Sequence, residues 1–261
     1  MNSYLIIFLI ILNLILFYSL FRKKIRRIFS FAKVKSVDLS SVHEVFLPNS
    51  NIKEYNFPKE DVVINNFFID PSFKLVGLTS DYESWILSCI AKYSKNIFEF
   101  GTASGKTTAL FALNSSQDSK IYSITLDPDS IHKYNFLANK KESRSITNAK
   151  NESVYKKFIF SDMSIKNKIK IFFQDSLKFN ESIYKNSIDL IFIDGGHNYS
   201  CVKSDSEKSF NMIKKNGYIF WHDYVPTKKS VKGVFKYINE IIKYKKIFHI
   251  KNTSLCYYKH E

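Results

Sequence analysis

Apolar runs alternate with amphipathic stretches from about residue 81 onward, and this pattern predicts an α/β domain. Helical spacing of apolar residues follows Asp81 and Gly105 and recurs over Val202–Lys215 and Val231–Lys243. The candidate strands are Asn96–Phe100, Lys120–Asp127, Lys168–Gln174, Ser187–Asp194 and Gly217–His222. Strands that are nearly continuous apolar runs, separated by helices, are typical of a mostly parallel sheet with helices on both faces.

Three other segments complete this pattern. The stretches KKIFHI and SLCYYK flank Lys251–Thr253 and predict an antiparallel hairpin at the C-terminal end. Residues from about Ser30 to Pro71 show no long period and are expected to form a linker. The connection Ile131–Lys166 is longer than two neighbouring strands need, so it is either a lid over a binding site or an ordinary helix with an irregular loop.

The N-terminus has a different pattern, because residues 4–21 form one apolar run without a charged side chain. As a helix this run would be about 27 Å long, close to the thickness of the bilayer hydrocarbon. No basic residue precedes it, and the basic cluster RKKIRR follows it at 22–27. The sequence therefore predicts a single transmembrane anchor in the inner membrane, with the following domain facing the cytoplasm.

Composition narrows the possible partners. The net charge is +15, from 39 Lys and Arg against 24 Asp and Glu. The lysines are scattered, and no arginine stripe alternates with aromatic residues, so no specific nucleic-acid partner is expected. Cys89, Cys201 and Cys256 lack the spacing of a disulfide set or a zinc site and indicate a reduced compartment. The oligomeric state is left open.

The stretch EFGTASGKTT at 99–108 superficially resembles the phosphate-binding loop of an ATPase. That loop needs four residues between its glycine and the Gly-Lys-Ser/Thr group, so that successive backbone N–H groups surround the phosphates. Here only three residues separate Gly101 from Gly105. A nucleotide-binding kinase or ATPase that uses Gly105, Lys106 and Thr107 nevertheless remains an alternative.

Polar residues stand at the carboxyl end of each predicted central strand. In a mostly parallel sheet these ends share one edge, which is where ligands bind. A helix cap or a turn explains any single case equally well, but five successive strand ends favour one site. The residues are Glu99, Asp127, Asp175, Asp194, and His222 with Asp223.

The ordered motifs EFGTASG, TLD, QDS, FIDGGHNYSCVKSD and NGYIFWHDY resemble class I S-adenosylmethionine-dependent methyltransferases. The likeness is to the branch whose fourth strand carries Asp-Gly-x-His-x-Tyr and whose fifth strand ends in His-Asp-Tyr. It implies a Rossmann-like, doubly wound, mostly parallel seven-stranded sheet with an antiparallel C-terminal hairpin. The implied organisation is a transmembrane anchor at 4–21, a basic juxtamembrane segment and linker at 22–74, and the methyltransferase domain at 75–261.

The resemblance also implies how the cofactor S-adenosylmethionine is held. The family's loop is an acidic residue followed by Gly-x-Gly-x-Gly, and Ala103 replaces the middle glycine. The ribose diol needs a carboxylate after the second strand, which Asp127 supplies, with Asp129 as a second choice. Lys106 is expected to be a solvent-exposed lysine at the start of a helix. The implied cofactor-binding residues are Glu99, Gly101, Ala103, Gly105, Asp127, Asp175 and Ser176.

For the chemistry, the resemblance points to His197 as general base, with Asp194 beside it. Metal-dependent relatives hold Mg²⁺ at these strand ends, so Asp194, His222 and Asp223 form a candidate site for a divalent metal. A histidine at position 222 favours Mn²⁺ or Fe²⁺ over Mg²⁺, or the absence of a metal. Trp221 and Tyr199 are candidates for lining the acceptor pocket.

The sequence therefore predicts a membrane-anchored S-adenosylmethionine-dependent methyltransferase. Its acceptor is expected to be a small polyhydroxylated molecule, such as a sugar or a glycan intermediate, methylated on oxygen. The ATPase or kinase described above is one alternative. A non-catalytic membrane-anchored adaptor with the same fold is another.

Overall fold

A computed structural model describes residues 7–18, 33–43, 64–67, 79–131, 147 and 150–261. The strands are β1 Lys35–Val37, β2 Asn96–Phe100, β3 Lys120–Thr125, β4 Ile169–Phe173, β5 Ile188–Ile193, β6 Ile213–Trp221, β7 Ile247–Ile250 and β8 Cys256–Lys259. The helices are α1 at 7–18, α2 Asp81–Ala91, α3 Lys106–Asn114, α4 Tyr199–Met212 and α5 Lys232–Ile241.

Within the described residues, eight strands form one sheet in the order β1-β7-β8-β6-β5-β2-β3-β4. Strands β2 to β6 pair in parallel, and β8 pairs antiparallel with both β6 and β7. The Rossmann-like α/β fold and the C-terminal antiparallel hairpin are therefore as predicted. The chain reverses its direction of travel across the sheet between β2 and β5, which is the point where such sheets bind ligands.

Helices cover both faces of the sheet because the central strands are apolar on both sides. In β2, Phe98 and Phe100 belong to the core that includes Val202 of α4, while Ile97 belongs to the core that includes Phe111 of α3. The same alternation continues along β5 and β6. Two cores on opposite faces fix the register of these strands, since a shift by one residue would exchange the faces.

The predicted transmembrane helix is wrong. Among the residues that the structure describes, no helix is both long enough and apolar enough to cross a bilayer. The described part of α1, at 7–18, is about 18 Å long at ~1.5 Å per residue, whereas the hydrocarbon core is ~30 Å thick. The other residues of the predicted span, 4–6 and 19–21, lie outside the described residues. The predicted inner-membrane location was inferred from this helix, and the described residues do not test it.

The sheet has one strand more than the seven predicted. Lys35–Val37 lies in the segment expected to be a linker, yet it pairs in parallel with β7, with Ser36 opposite His249. The Ser36 Oγ and His249 Nδ1 atoms are 3.0 Å apart. A strand of three residues, two of them exposed, carries too little hydrophobic pattern to be recognised from sequence.

One close contact connects helix α5 to the loop that contains His197. A Cβ atom placed on Gly233, the second residue of α5, would lie 2.4 Å from the carbonyl oxygen of His197 and 2.4 Å from the backbone nitrogen of Tyr199. Backbone atoms cannot move aside as the end of a flexible side chain can. Only glycine therefore allows α5 to pack this closely on the loop after β5.

We expect Gly233→Ala to destabilise the protein. Alanine favours a helix by about 1 kcal/mol over glycine, but the backbone clash should outweigh this gain by about 1–3 kcal/mol. Chemical denaturation of the two proteins measures the difference in unfolding free energy. Gly195→Ala is the matched control, because its Cβ would approach no atom closer than 3.4 Å. Equal stability of the Gly233→Ala variant and wild type would contradict the packing described.

Candidate functional site

The carboxyl ends of β2 and β5 meet in a contact that leaves no room for side chains. Gly101 follows β2 with a φ of +100°, and a Cβ there would lie 2.3 Å from the carbonyl oxygen of Asp194. The Gly101 N–H donates to the carbonyl of Ile124, and the Asp194 N–H donates to that of Phe100. The glycine loop and the loop after β5 are thus fixed against each other at the point where the sheet reverses direction.

Two more residues of the glycine loop have a left-handed backbone. Gly105 has a φ of +82° and precedes α3, and a Cβ there would lie 2.6 Å from the ring of Phe160. Ala103 has a φ of +44°, a conformation that costs an alanine roughly 1 kcal/mol more than a glycine. The loop therefore keeps the path expected of three glycines although its middle residue is alanine.

Glu99 does not face the open edge of the sheet. Its side chain is only 1% exposed, and its Oε2 atom accepts hydrogen bonds from the hydroxyls of Ser123 and Thr108. Burial raises the pKa of Glu99 to about 8, although both hydroxyls favour the charged form. Glu99 therefore joins β2, β3 and α3 beneath the glycine loop, and it would act on a cofactor through that loop.

The predicted ribose-binding residue lies at the expected strand end. Asp127 is half-buried after β3, and its Oδ1 atom accepts a hydrogen bond of 3.0 Å from the backbone N–H of Asp129. Asp129 is exposed, and its carboxylate forms an ion pair with Lys156. Of the two acids, Asp127 is the one that is partly enclosed.

At the end of β4, Asp175 caps a short turn. Its Oδ1 atom accepts from the N–H of Leu177 at 3.0 Å, so the turn explains part of its role. The neighbouring Ser176 lies close to Asp205 of α4, whose two carboxyl oxygens are buried without a hydrogen-bond partner. Burial raises the pKa of Asp205 to about 7. The nearby Ser176 hydroxyl acts in the opposite direction and lowers this pKa, although it does not have the geometry of a hydrogen bond to the carboxyl group.

Lys106 differs from the expectation of an exposed side chain. Its side chain is 14% exposed, and its ammonium group donates a hydrogen bond of 3.0 Å to the carbonyl of Thr79. Asp81 lies 3.8 Å away. The ammonium group thus contacts the segment before α2. A phosphate-binding lysine has to reach toward the loop's ligand, so this geometry disfavours the ATPase alternative.

His222, at the end of β6, is held between two carboxylates. Its Nδ1 atom is 3.0 Å from Oδ1 of Asp194, and its Nε2 atom is 3.3 Å from Oε2 of Glu83 in α2. The other oxygen of Glu83 accepts from the backbone N–H and the hydroxyl of Ser254, at 2.6 and 2.8 Å. Ser80 donates to Glu83 as well and completes the cap of α2.

These contacts make His222 a cation and its neighbours anions. Burial alone would lower the pKa of His222, but Asp194 and Glu83 outweigh it and raise that pKa to about 11. Burial alone would raise the pKa of Asp194, but His222 and His197 bring it to about 2. Burial would also raise the pKa of Glu83, but the hydrogen bonds from His222, Ser254 and Ser80 lower it.

A second group of side chains forms on the other side of Asp194. The Nε2 atom of His197 lies 3.2 Å from Oδ2 of Asp223 and 3.8 Å from Oδ1 of Asp194. This nitrogen is buried and lacks a hydrogen bond of good geometry. Burial would lower the pKa of His197, but Asp194, Asp223 and Glu152 together raise it. Lys228 donates to the other oxygen of Asp223 at 3.1 Å.

The predicted metal-binding set fits only in part. Potential ligand atoms of Asp194, His197 and Asp223 lie within 4.8 Å of one another, whereas both ring nitrogens of His222 already face carboxylates. Asp194 and Asp223 could therefore hold a divalent ion, and His222 could not join them in its observed orientation. Such an ion would acidify a bound hydroxyl as a Lewis acid. Asp194 and Asp223 remain the predicted ligands.

Three aromatic or acidic residues differ from what the sequence suggested. Trp221 is fully buried and donates to the hydroxyl of Ser206, so it belongs to the core and does not line a pocket. Tyr199 donates to Glu240 on the surface between α4 and α5. Glu83 was not recognised as a site residue, because its sequence signal is only that of a helix cap.

Comparison with known proteins gives the class of the protein. Residues 98–224 match the family model described as a methyltransferase domain, and this range contains the glycine loop and all of the predicted strand-end residues. No curated protein sequence matches at a significant level. The fold and the matched domain define a class I methyltransferase. The chain is an enzyme of this class whose methyl donor is S-adenosylmethionine.

The chain is also similar to solved structures of methyltransferases. A Staphylococcus aureus protein assigned as a candidate caffeoyl-CoA O-methyltransferase has a TM-score of 0.51 and 18% identity, over 71% of this chain and 86% of its own. The O-methyltransferase TomG from Streptomyces achromogenes has a TM-score of 0.48 and 11% identity, over 91% of this chain and 96% of its own. An O-methyltransferase from Bacillus cereus has a TM-score of 0.45 and 15% identity, over 69% of this chain and 81% of its own.

The charge on His222 should make stability depend on pH. The unfolded chain loses this proton near pH 6.5, whereas the folded chain keeps it until about pH 11. The stabilisation is therefore complete below pH 6.5 and is lost as the pH rises. Relative to His222→Gln, the unfolding free energy of wild type should fall by up to about 1.4 kcal/mol per pH unit between pH 7 and 10. A constant difference between the two proteins would contradict the assignment.

Removal of Asp127 should weaken cofactor binding. We expect Asp127→Ala to bind S-adenosylhomocysteine about tenfold more weakly or worse by calorimetry, because the ribose hydroxyls lose a charged acceptor. Asp129→Ala should bind with nearly the affinity of wild type, since Asp129 is exposed and paired with Lys156. A larger loss in Asp129→Ala than in Asp127→Ala would assign the ribose to the other acid.

Proposed function

We propose that the enzyme transfers the methyl group to a hydroxyl oxygen of a small polyhydroxylated acceptor, such as a sugar or a glycan intermediate, with His197 as general base. The observation that carries this proposal is the position of the His197 Nε2 atom, 3.2 Å from Asp223 and 3.8 Å from Asp194. Two neighbouring carboxylates raise the proton affinity of this buried imidazole, which suits the removal of a proton from a weakly acidic group.

In the proposed reaction the acceptor oxygen attacks the methyl carbon that is attached to the sulfonium. A carbon–oxygen bond forms, the carbon–sulfur bond breaks, and the sulfur keeps the electron pair of that bond. The hydroxyl proton moves to Nε2 of His197. Asp223 and Asp194 then stabilise the imidazolium, which is why their charges raise the pKa of His197. Alignment of the two reactants supplies much of the remaining rate enhancement.

The surroundings of His197 support a hydroxyl-rich acceptor. Asp194 and Asp223 place carboxylate oxygens next to the base, and such oxygens accept hydrogen bonds from neighbouring hydroxyl groups. The Staphylococcus aureus neighbour is named for caffeoyl-CoA as its acceptor, and a caffeoyl group is a catechol with two adjacent hydroxyls. Catechols and sugars share adjacent hydroxyl groups, so both classes are suitable probes.

Loss of the base should reduce turnover and leave cofactor binding intact. We expect His197→Gln to lower kcat by about 10²–10⁴-fold, the usual contribution of a general base. Transfer of a tritium-labelled methyl group to caffeate and to methyl glycosides measures this loss. Calorimetry with S-adenosylhomocysteine is the control and should give an unchanged affinity.

Two results would contradict the proposal. Full activity of His197→Gln would exclude the histidine as the base. If wild type binds S-adenosylhomocysteine but methylates neither class of hydroxylated probe, the proposed acceptor class is wrong.

A further inference from the structure

Lys228 and His197 contact different oxygen atoms of the same carboxylate group, that of Asp223. The ammonium nitrogen of Lys228 is 3.1 Å from Oδ1, and the Nε2 atom of His197 is 3.2 Å from Oδ2. The backbone of Lys228 lies in two turns, because its N–H donates to the carbonyl of Val225 and its carbonyl accepts from the N–H of Val231, both at 3.4 Å. A single carboxylate group thus separates a positioned ammonium group from the proposed base.

The ammonium group of Lys228 is open to solvent, unlike the groups around it. Its side chain is 53% exposed, whereas those of Asp223 and His197 are 11% and 9% exposed. His222, the buried cation of the site, has carboxylates on both of its nitrogens. An ammonium group has three N–H donors, and within the described residues Lys228 uses one of them, toward Asp223. Two donors therefore remain for a molecule that enters the site.

The segment that contains Lys228 is basic throughout. Residues 224–239 include four lysines and no acidic side chain. All four lysines are exposed, and they are Lys228, Lys229, Lys232 and Lys236. A local excess of positive charge attracts anions to this side of the site. The carboxylates beside His197 therefore suit hydroxyl groups, whereas the neighbouring segment suits an anion.

We propose that Lys228 binds an anionic group of the acceptor, a carboxylate or a phosphate, while His197 takes the proton of a hydroxyl on the same molecule. The acceptor is then an acidic polyhydroxylated molecule, such as a uronic acid or a sugar phosphate. An ammonium group forms its strongest hydrogen bonds with such anions, and a neutral sugar would leave its charge unused. This inference rests on the proposed function and specifies the charge of the acceptor.

The test compares three glycosides with the same ring, which are methyl α-D-glucopyranoside, its 6-phosphate and the corresponding glucuronide. Ligand-observed NMR titration measures their affinities for the full chain loaded with S-adenosylhomocysteine. We expect wild type to bind at least one acidic glycoside about tenfold more tightly than the neutral one, because a charge-assisted hydrogen bond is added. The larger preference identifies the anionic group as carboxylate or phosphate.

Three variants separate recognition of the anion from support of Asp223. Lys228→Gln should abolish the preference for the acidic glycosides, and Lys228→Arg should keep it, since arginine retains the charge and the N–H donors. Lys229→Gln is the matched control, because it removes the same charge from the next residue, which is also exposed. It should keep the preference of wild type. If Lys228 only supported Asp223, Lys228→Gln would weaken the binding of all three glycosides by the same factor.

The possible failures can be told apart. Equal affinity of wild type for the three glycosides, or a preference that survives Lys228→Gln, would overturn the role of Lys228 and leave the proposed reaction standing. If the wild-type complex binds none of the three, both the polyhydroxylated acceptor and this role of Lys228 are overturned.

Discussion

The site depends on one buried interaction, the His222 imidazolium between the carboxylates of Glu83 and Asp194. This interaction joins helix α2 to the ends of β5 and β6, and Ser254 connects it to the turn between β7 and β8. A buried ion pair is stable only when hydrogen bonds satisfy its remaining atoms, and Ser80 and Ser254 do this for Glu83. The orientation of Asp194 toward His197 follows from this arrangement.

The central part of the fold was predictable because its physical cause is local. Continuous apolar runs identify β2 to β6, and parallel strands bring their carboxyl ends to one edge. The residues at these ends include Asp194, His197 and Asp223, which the structure brings together as one group. Gly101 lies at the predicted strand end, where only a residue without a Cβ fits against the backbone of Asp194. Its contact with the cofactor stays a prediction.

The remaining features depend on tertiary contacts that a sequence pattern does not encode. Glu83 acts on a residue 139 positions away, and its local signal is only a helix cap. Strand β1 is too short to recognise. An apolar run predicted a transmembrane helix, but among the described residues no helix is both long enough and apolar enough to cross a bilayer. Sequence alone also placed His222 among the metal ligands, although both of its nitrogens face carboxylates.

In the proposed reaction, the glycine loop and His197 act on the same methyl group. A crystal structure with S-adenosylhomocysteine tests this most directly, through the distance between the ligand's sulfur and Nε2 of His197. We expect at most about 8 Å, because a methyl group and one hydroxyl oxygen must fit between these atoms. A sulfur atom that lies against Gly101 but faces away from His197 would contradict the account.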